Sequence, residues 1–168
     1  SLRRQRQMCI RDRDLSRSRD CNTAAISLTE DPFSVASDPE VDVVLELMGG
    51  EETAYQVVST ALQHGKHVVT ANKALIAQDL TEIESLVGEV NKGLESGDEV
   101  EFRYVASVCG GIPIIRSIQS DFVGDSISMM SGIINGCTNF MLSAMDRDGK
   151  SYDEALAEAS ALGYAAVS

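Results

Sequence analysis

Two rhythms of apolar residues alternate along the chain. Residues 41–48 are apolar at most positions, with Val43, Val44, Leu45 and Leu47 prominent. That run predicts a strand buried on both faces of a parallel sheet. Gly49-Gly50 then turns the chain. Val57, Val58, Ala61 and Leu62 follow at helical spacing, Glu51 and Glu52 stand at that helix's positive end, and Gly65 closes it in left-handed geometry. His67–Thr70 predicts the next strand. A helix over 72–94 comes next, its apolar face formed by Leu75, Ile76, Leu80, Ile83, Leu86, Val87 and Val90. Ser96-Gly97-Asp98 marks a turn, and residues 100–108 another strand. Upstream, residues 14–30 read as a loop and a weak strand, and Asp31-Pro32 opens a short helix that ends near Asp38-Pro39.

After Pro113 the pattern changes. Residues 114–123 read as a helix. Ile127, Met129, Ser131 and Ile133 can share one side of a strand. Residues 137–146 and 152–162 read as helices separated by Asp148-Gly149-Lys150. The fold class expected is α/β: a partial Rossmann-like, right-handed and mostly parallel sheet over 14–110, followed by the start of an α+β substrate and dimerisation domain over 111–168.

Charge sharpens this picture at one end. Net charge is −12, yet residues 1–19 hold seven arginines against Asp12 and Asp14. The remaining residues carry seven basic and 24 acidic groups, a net of −17. So acidic a body argues against a nucleic-acid groove. The arginine-rich start has no apolar periodicity. It can be read as a basic arm, but residues 3–13 also resemble one translated frame of a transposase adapter from sequencing-library preparation, and Val167-Ser168 the start of the opposite adapter. Residues 1–13 are on that reading foreign to the fold and form no packed element. Cys9, Cys21, Cys109 and Cys137 form no C-x-x-C pair, which suits a reducing, cytoplasmic setting. Residues 126–145 carry no charge, but their Ser, Gly, Asn and Thr content is too polar for a membrane span.

Candidate chemistry gathers in three short stretches. In His67-Val68-Val69-Thr70-Ala71-Asn72-Lys73, a lysine sits just past a strand's carboxyl end, where open α/β sheets bind ligands. Lys73 can meet a carboxylate, a phosphate or a developing alkoxide, or it can be a solvated lysine in a first helical turn. Ser107-Val108-Cys109-Gly110-Gly111-Ile112-Pro113 offers main-chain carbonyls, or simply a tight turn before a proline-started helix. Gly136-Cys137-Thr138 opens a helix, whose free N–H groups favour anions; alternatively Thr138 caps that helix. Gly49-Gly50 can also be no more than a turn. His64 and His67 form H-x-x-H, but a helix end and a strand start need not share a face, and His64 near a negative helix terminus accounts for itself.

These stretches, in this order and spacing and together with Glu46-Leu47-Met48-Gly49-Gly50 and Ala161-Leu162-Gly163-Tyr164, resemble homoserine dehydrogenase over roughly residues 14–165, closer to the single-function bacterial type. The resemblance implies interconversion of L-homoserine and L-aspartate 4-semialdehyde with NADP or NAD, feeding threonine, methionine and isoleucine synthesis, in a cytoplasmic homodimer. It implies Met48 and Gly49 beside the nicotinamide, and Lys73 reaching both cofactor and substrate. Gly136, Cys137 and Thr138 would meet the amino-acid substrate. Val108, Gly110 and Ile112 would bind Na⁺ or K⁺ through carbonyls. Three departures stand out. The G-x-G-x-x-G turn is absent, as if the chain began after the second strand. Val105 stands where the family adds a glutamate to the cation site, and Ala166 where it has a substrate-binding glutamate. The family's later acidic residue and proton-transferring lysine would lie beyond Ser168, so the chain by itself is expected to be inactive. The rivals are another amino-acid semialdehyde dehydrogenase and a non-catalytic nucleotide-sensing module.

Overall fold

The computed structural model describes residues 9–16, 18, 20 and 22–164. It divides into two compact units between Ile115 and Arg116, five residues past the boundary expected from the sequence.

Unit 1 alternates strand and helix. Strands β1 (Cys9–Arg11) and β2 (Ser27–Thr29) pair in parallel. Helix α1 (Pro32–Ala36) follows, its first turn capped by the Asp31 side chain, which accepts from Phe33 N–H at 2.9 Å. Then come β3 (Val43–Glu46), α2 (Glu52–Gln63), β4 (His67–Thr70), α3 (Lys73–Asn91) and β5 (Phe102–Arg103), with a second, three-stranded parallel sheet in the order β3-β4-β5. This is a mixed α/β, Rossmann-like arrangement. Its core is one cluster from α1, α2, α3 and the strands, including Ala36, Val44, Val58, Leu62, Val68, Leu75, Ile83 and Val100. The α2 residues that bury themselves are Ala54, Val57, Val58, Ala61 and Leu62, one face of a helix at 3.6 residues per turn. Gly65, at φ 72°, takes the left-handed geometry after α2 that favours glycine.

Four expectations for unit 1 need correction. Strand β3 is buried on one face only: Val44 and Glu46 face the core, while Val43 and Leu45 are exposed, because the helices that pack on it lie on one side and no described element covers the other. The strand foreseen over 100–108 shrinks to two paired residues. Its partner β4 ends at Thr70, and the chain beyond Tyr104 coils into a 3-10 turn (Val105–Ser107). Helix α3 stops at Asn91, whose side chain instead clamps the main chain of Val100, donating to its carbonyl at 3.0 Å and accepting from its N–H at 2.9 Å. Finally, residues 9–11 do pack: Cys9, Ile10 and Arg11 are partly buried, since β2 supplies a hydrogen-bonding edge that three residues of almost any composition can use. Residues 1–8 lie outside the described residues.

Unit 2 holds a helical hairpin. Helix α4 (Ile114–Arg116) spans the division and continues as a π turn (Ser117–Asp121), closed by Phe122 N–H donating to Ser117 O at 3.0 Å. Helices α5 (Gly136–Asp148) and α6 (Tyr152–Ala161) pack through Met141, Ala144, Ala155 and Ala159. Gly149 (φ 65°) ends α5, and Ser151 with Glu154 forms a reciprocal capping box on α6. No strand forms over 126–135. Ile127, Met129 and Ile133 are exposed, because no described segment offers them a ladder partner.

Candidate functional site

Strands β3 and β4 run parallel with Glu46 opposite Thr70, so both end at the same sheet edge. A network of buried polar groups joins the turns that leave this edge. One Glu46 carboxyl oxygen accepts from Met48 N–H (2.8 Å), and the other accepts from the Thr70 hydroxyl (2.6 Å). The Thr70 oxygen in turn accepts from Asn72 N–H (3.0 Å). Asn72 caps α3, its side-chain oxygen accepting from Leu75 N–H (3.2 Å) while its amide donates to Gly50 O (2.6 Å). From the 3-10 turn, Ser107 donates to Thr70 O (2.9 Å). Glu46, Thr70, Asn72 and Ser107 are all buried.

The network brings several sequence-predicted residues to one edge. Lys73 is the first residue of α3, exposed, directly after the cap. Met48 and Gly49 lie in the other turn, whose Gly50 carbonyl takes the Asn72 bond. Gly49 (φ 72°) and Gly50 (φ 79°) both need left-handed backbone, with nothing within 4 Å of where a Cβ would sit. The main chain of this turn is therefore open on the side where both glycines would carry a Cβ. Val108, Gly110 and Ile112 follow the 3-10 turn that Ser107 ties to β4. Sequence reasoning missed Glu46, Thr70, Asn72 and Ser107. The available signal was Glu46 itself, a carboxyl group two residues from Val44 and so in phase with the buried face.

Unit 2 carries the remaining predicted residues, Gly136, Cys137 and Thr138, in the first turn of α5. The cap is Asn135 rather than Thr138. Its oxygen accepts from both the N–H (2.9 Å) and the hydroxyl (2.8 Å) of Thr138. A residue must precede the helix to cap it, and Thr138 already lies within the first turn.

A family model described as "Homoserine dehydrogenase, NAD binding domain" matches residues 3–94, more than half of the chain, and one described as "Homoserine dehydrogenase" matches residues 113–167. The chain belongs to the homoserine dehydrogenase family. It is 48% identical over 145 residues to the homoserine dehydrogenase of Pseudomonas aeruginosa, covering 86% of this chain and 32% of that protein. The crystal structure of a homoserine dehydrogenase from Thiobacillus denitrificans superposes with a TM-score of 0.80 at 38% identity, over 96% of this chain and 35% of the other. A hyperthermophilic archaeal homoserine dehydrogenase in complex with NADPH gives a TM-score of 0.66 at 27% identity, over 80% and 39%. The chain thus spans about a third of the length of the relatives it matches.

Against this family background, the cation site is a poor fit. Val105 begins the 3-10 turn and brings no anionic oxygen, and the Ile112 carbonyl already accepts from Ile114 N–H at 2.9 Å. The histidines make separate contacts: His64 Nδ1 lies 2.8 Å from Thr60 O, while His67 Nδ1 accepts from Glu101 N–H at 3.1 Å. Among the described residues no three His, Cys, Asp or Glu side chains converge on a metal site. None of the described helices is long and apolar enough to cross a membrane. An open cleft lined by Glu51, Glu52, Tyr55, Gln56, Gln78 and Asp79 carries three carboxyl groups, the wrong sign for a dinucleotide's phosphates.

Proposed function

We propose that this chain is part of an NAD(P)-dependent homoserine dehydrogenase that interconverts L-homoserine and L-aspartate 4-semialdehyde. One observation carries the reading: consecutive matches to two models of that family, its NAD binding domain over residues 3–94 and homoserine dehydrogenase over residues 113–167. The open turn at Met48 and Gly49 suits the nicotinamide end of NADP or NAD, which when bound exchanges a hydride with the carbonyl carbon. Lys73, beside it on the same edge, holds the substrate and stabilises negative charge growing on the carbonyl oxygen. The first turn of α5, at Gly136, Cys137 and Thr138, meets the amino acid's carboxylate through the N–H groups of Gly136 and Cys137, since the Thr138 N–H is already held by Asn135. Hydride transfer here requires no Na⁺ or K⁺ at Val108, Gly110 and Ile112, where Val105 supplies no anionic oxygen. The working enzyme is a cytoplasmic homodimer. By itself the chain is inactive, since its described residues contain no Gly-rich phosphate turn.

The test is made on the full-length reading frame. Purified protein should oxidise L-homoserine with NADP or NAD, read by absorbance of the reduced nicotinamide. The 168-residue chain should show no micromolar NADPH binding by calorimetric titration. A full-length protein inactive with both cofactors overturns the assignment. Micromolar binding by the short chain means that the cofactor site lies elsewhere.

A further inference from the structure

Glu46 is an expensive residue for its place. It is 2% exposed on the core face of β3, in phase with Val44. For stability alone, apolar side chains at both 46 and 70 would serve about as well, because well-packed apolar groups often match a buried polar network; replacing Glu46 alone would leave the Thr70 hydroxyl and the Met48 N–H without their acceptor. What a carboxyl group adds is direction. It carries two acceptors, one on the turn after β3 (Met48 N–H, 2.8 Å) and one on the end of β4 (Thr70 hydroxyl, 2.6 Å). Thr70 passes the link to Asn72 N–H, and Asn72 returns it to Gly50 O. The circuit closes through residues 46–50 and 70–72. Each group in it has a defined donor or acceptor role. The Thr70 hydroxyl donates a hydrogen bond to Glu46 and accepts one from Asn72 N–H, which no apolar isostere can do.

Resting on the dehydrogenase reading above, we infer that Glu46 and Thr70 are positioning residues: their bond locks the turns after β3 and β4 into one shelf, fixing the main chain at Met48 and Gly49 relative to Lys73. Neither side chain touches a reactant. They act by holding the nicotinamide-facing turn and the lysine at a constant separation, on which the alignment of the reacting atoms depends.

Four variants of the full-length enzyme test this. Thr70→Val removes the hydroxyl at nearly constant volume, and Thr70→Ser keeps it. Glu46→Gln retains shape but replaces one acceptor with a donor. Asn91→Ala breaks the paired bonds to Val100, which lie at the opposite end of α3 from Lys73 and serve as a stability control. With saturating cofactor and homoserine, below every variant's melting temperature, Thr70→Val and Glu46→Gln should lower kcat about tenfold to a hundredfold with smaller changes in KM. Thr70→Ser should stay within about threefold of the parent, and Asn91→Ala should melt earlier at unchanged kcat. If Glu46→Gln does not fold, the Thr70 pair decides. Full kcat in Thr70→Val, or an equal kcat loss in Asn91→Ala, overturns the positioning role while leaving the dehydrogenase assignment intact. A parent enzyme that does not turn over homoserine overturns both.

Discussion

Residues 43–50 and 127–134 are each apolar at five of eight positions, yet they end in different states. The first stretch begins as β3, hydrogen-bonds β4 in register from Val43–His67 to Glu46–Thr70, and sends Val44 into the core. The second forms no ladder, and Met129 (83%) and Ile134 (87%) are almost fully exposed. The contrast separates two requirements that apolar content alone conflates. Burial needs a surface to pack against, and a strand needs a neighbour for its N–H and C=O groups. Residues 43–50 have both; residues 127–134 have neither among the described residues. Strand β3 shows the same rule within itself: the face turned to α2 and α3 is buried, and Leu45 on the other face is 62% exposed.

The comparison can be broken most forcefully in the core. Leu62 is fully buried in the cluster under β3 and β4. Leu62→Ala should cost about 2–5 kcal/mol, and unit 1 should melt first. Thermal unfolding read by far-UV circular dichroism checks this. A loss far below that range would mean that the strand-and-helix layer is loosely packed.

Lys73→Ala tests the edge that this core supports. In the full-length enzyme, turnover should fall by roughly 10²-fold, the scale of losing one preorganised charge at the reacting oxygen. Stability should hardly change, since Lys73 is exposed while the cap beneath it is made by Asn72. Near-normal turnover would leave Lys73 a solvated surface residue and the edge without its cation.

Much of this arrangement is legible in the residues, and the limits of that legibility are physical. The spacing of Val57, Val58, Ala61 and Leu62 announced α2, because helical period and burial face are local properties. Lys73's place past a strand end followed from the run of His67–Thr70 and the polar residues after it. Side-chain partnership across strands was not legible. The Glu46–Thr70 bond joins residues 24 apart, and Ser107 meets Thr70 across 37. The length of β5 was hidden for a related reason, since the chain leaves the ladder for the 3-10 turn that Ser107 ties to Thr70, another contact between distant residues. The pairing of β1 with β2 likewise depends on an edge that local composition does not reveal.

Within unit 2 the well-formed part is the α5–α6 hairpin, and its caps can be weakened selectively. The Ser151 N–H and hydroxyl both hydrogen-bond the Glu154 carboxylate and hold it below the usual carboxylate range, with a smaller contribution from Lys150. The Lys150 ammonium is raised, first by its hydrogen bond to Glu158 at 2.6 Å. A lowered carboxylate supports the fold above its ordinary value of 4.5 and loses that support as pH falls through the folded value. A raised ammonium supports it below 10.5 and loses that support as pH rises through its own folded value. The hairpin should therefore be most stable between these limits. Ser151→Ala should cost about 1 kcal/mol, the usual worth of an N-cap, and should flatten the acid limb. Helicity followed across pH in both proteins checks this, and an unchanged acid limb would remove Glu154 as its cause.

The smallest effect is the sharpest check on the opening contrast. Met129 and Ile133 are 83% and 74% exposed, so their side chains have little burial to lose. Met129→Ser combined with Ile133→Ser should shift the stability of this chain by no more than about 0.5 kcal/mol, the usual range for surface substitutions, even though it removes two large apolar groups. The same chemistry applied to Val44 and Val68, which are buried beneath the helices, should cost several times more, because each serine would carry a hydroxyl into a core built from Val, Leu, Ile and Ala. Denaturant titration of the two double variants compares them directly. Equal losses would mean that residues 127–134 pack as the sheet does, and the distinction between apolar content and available partners would fail at the segment that best displays it.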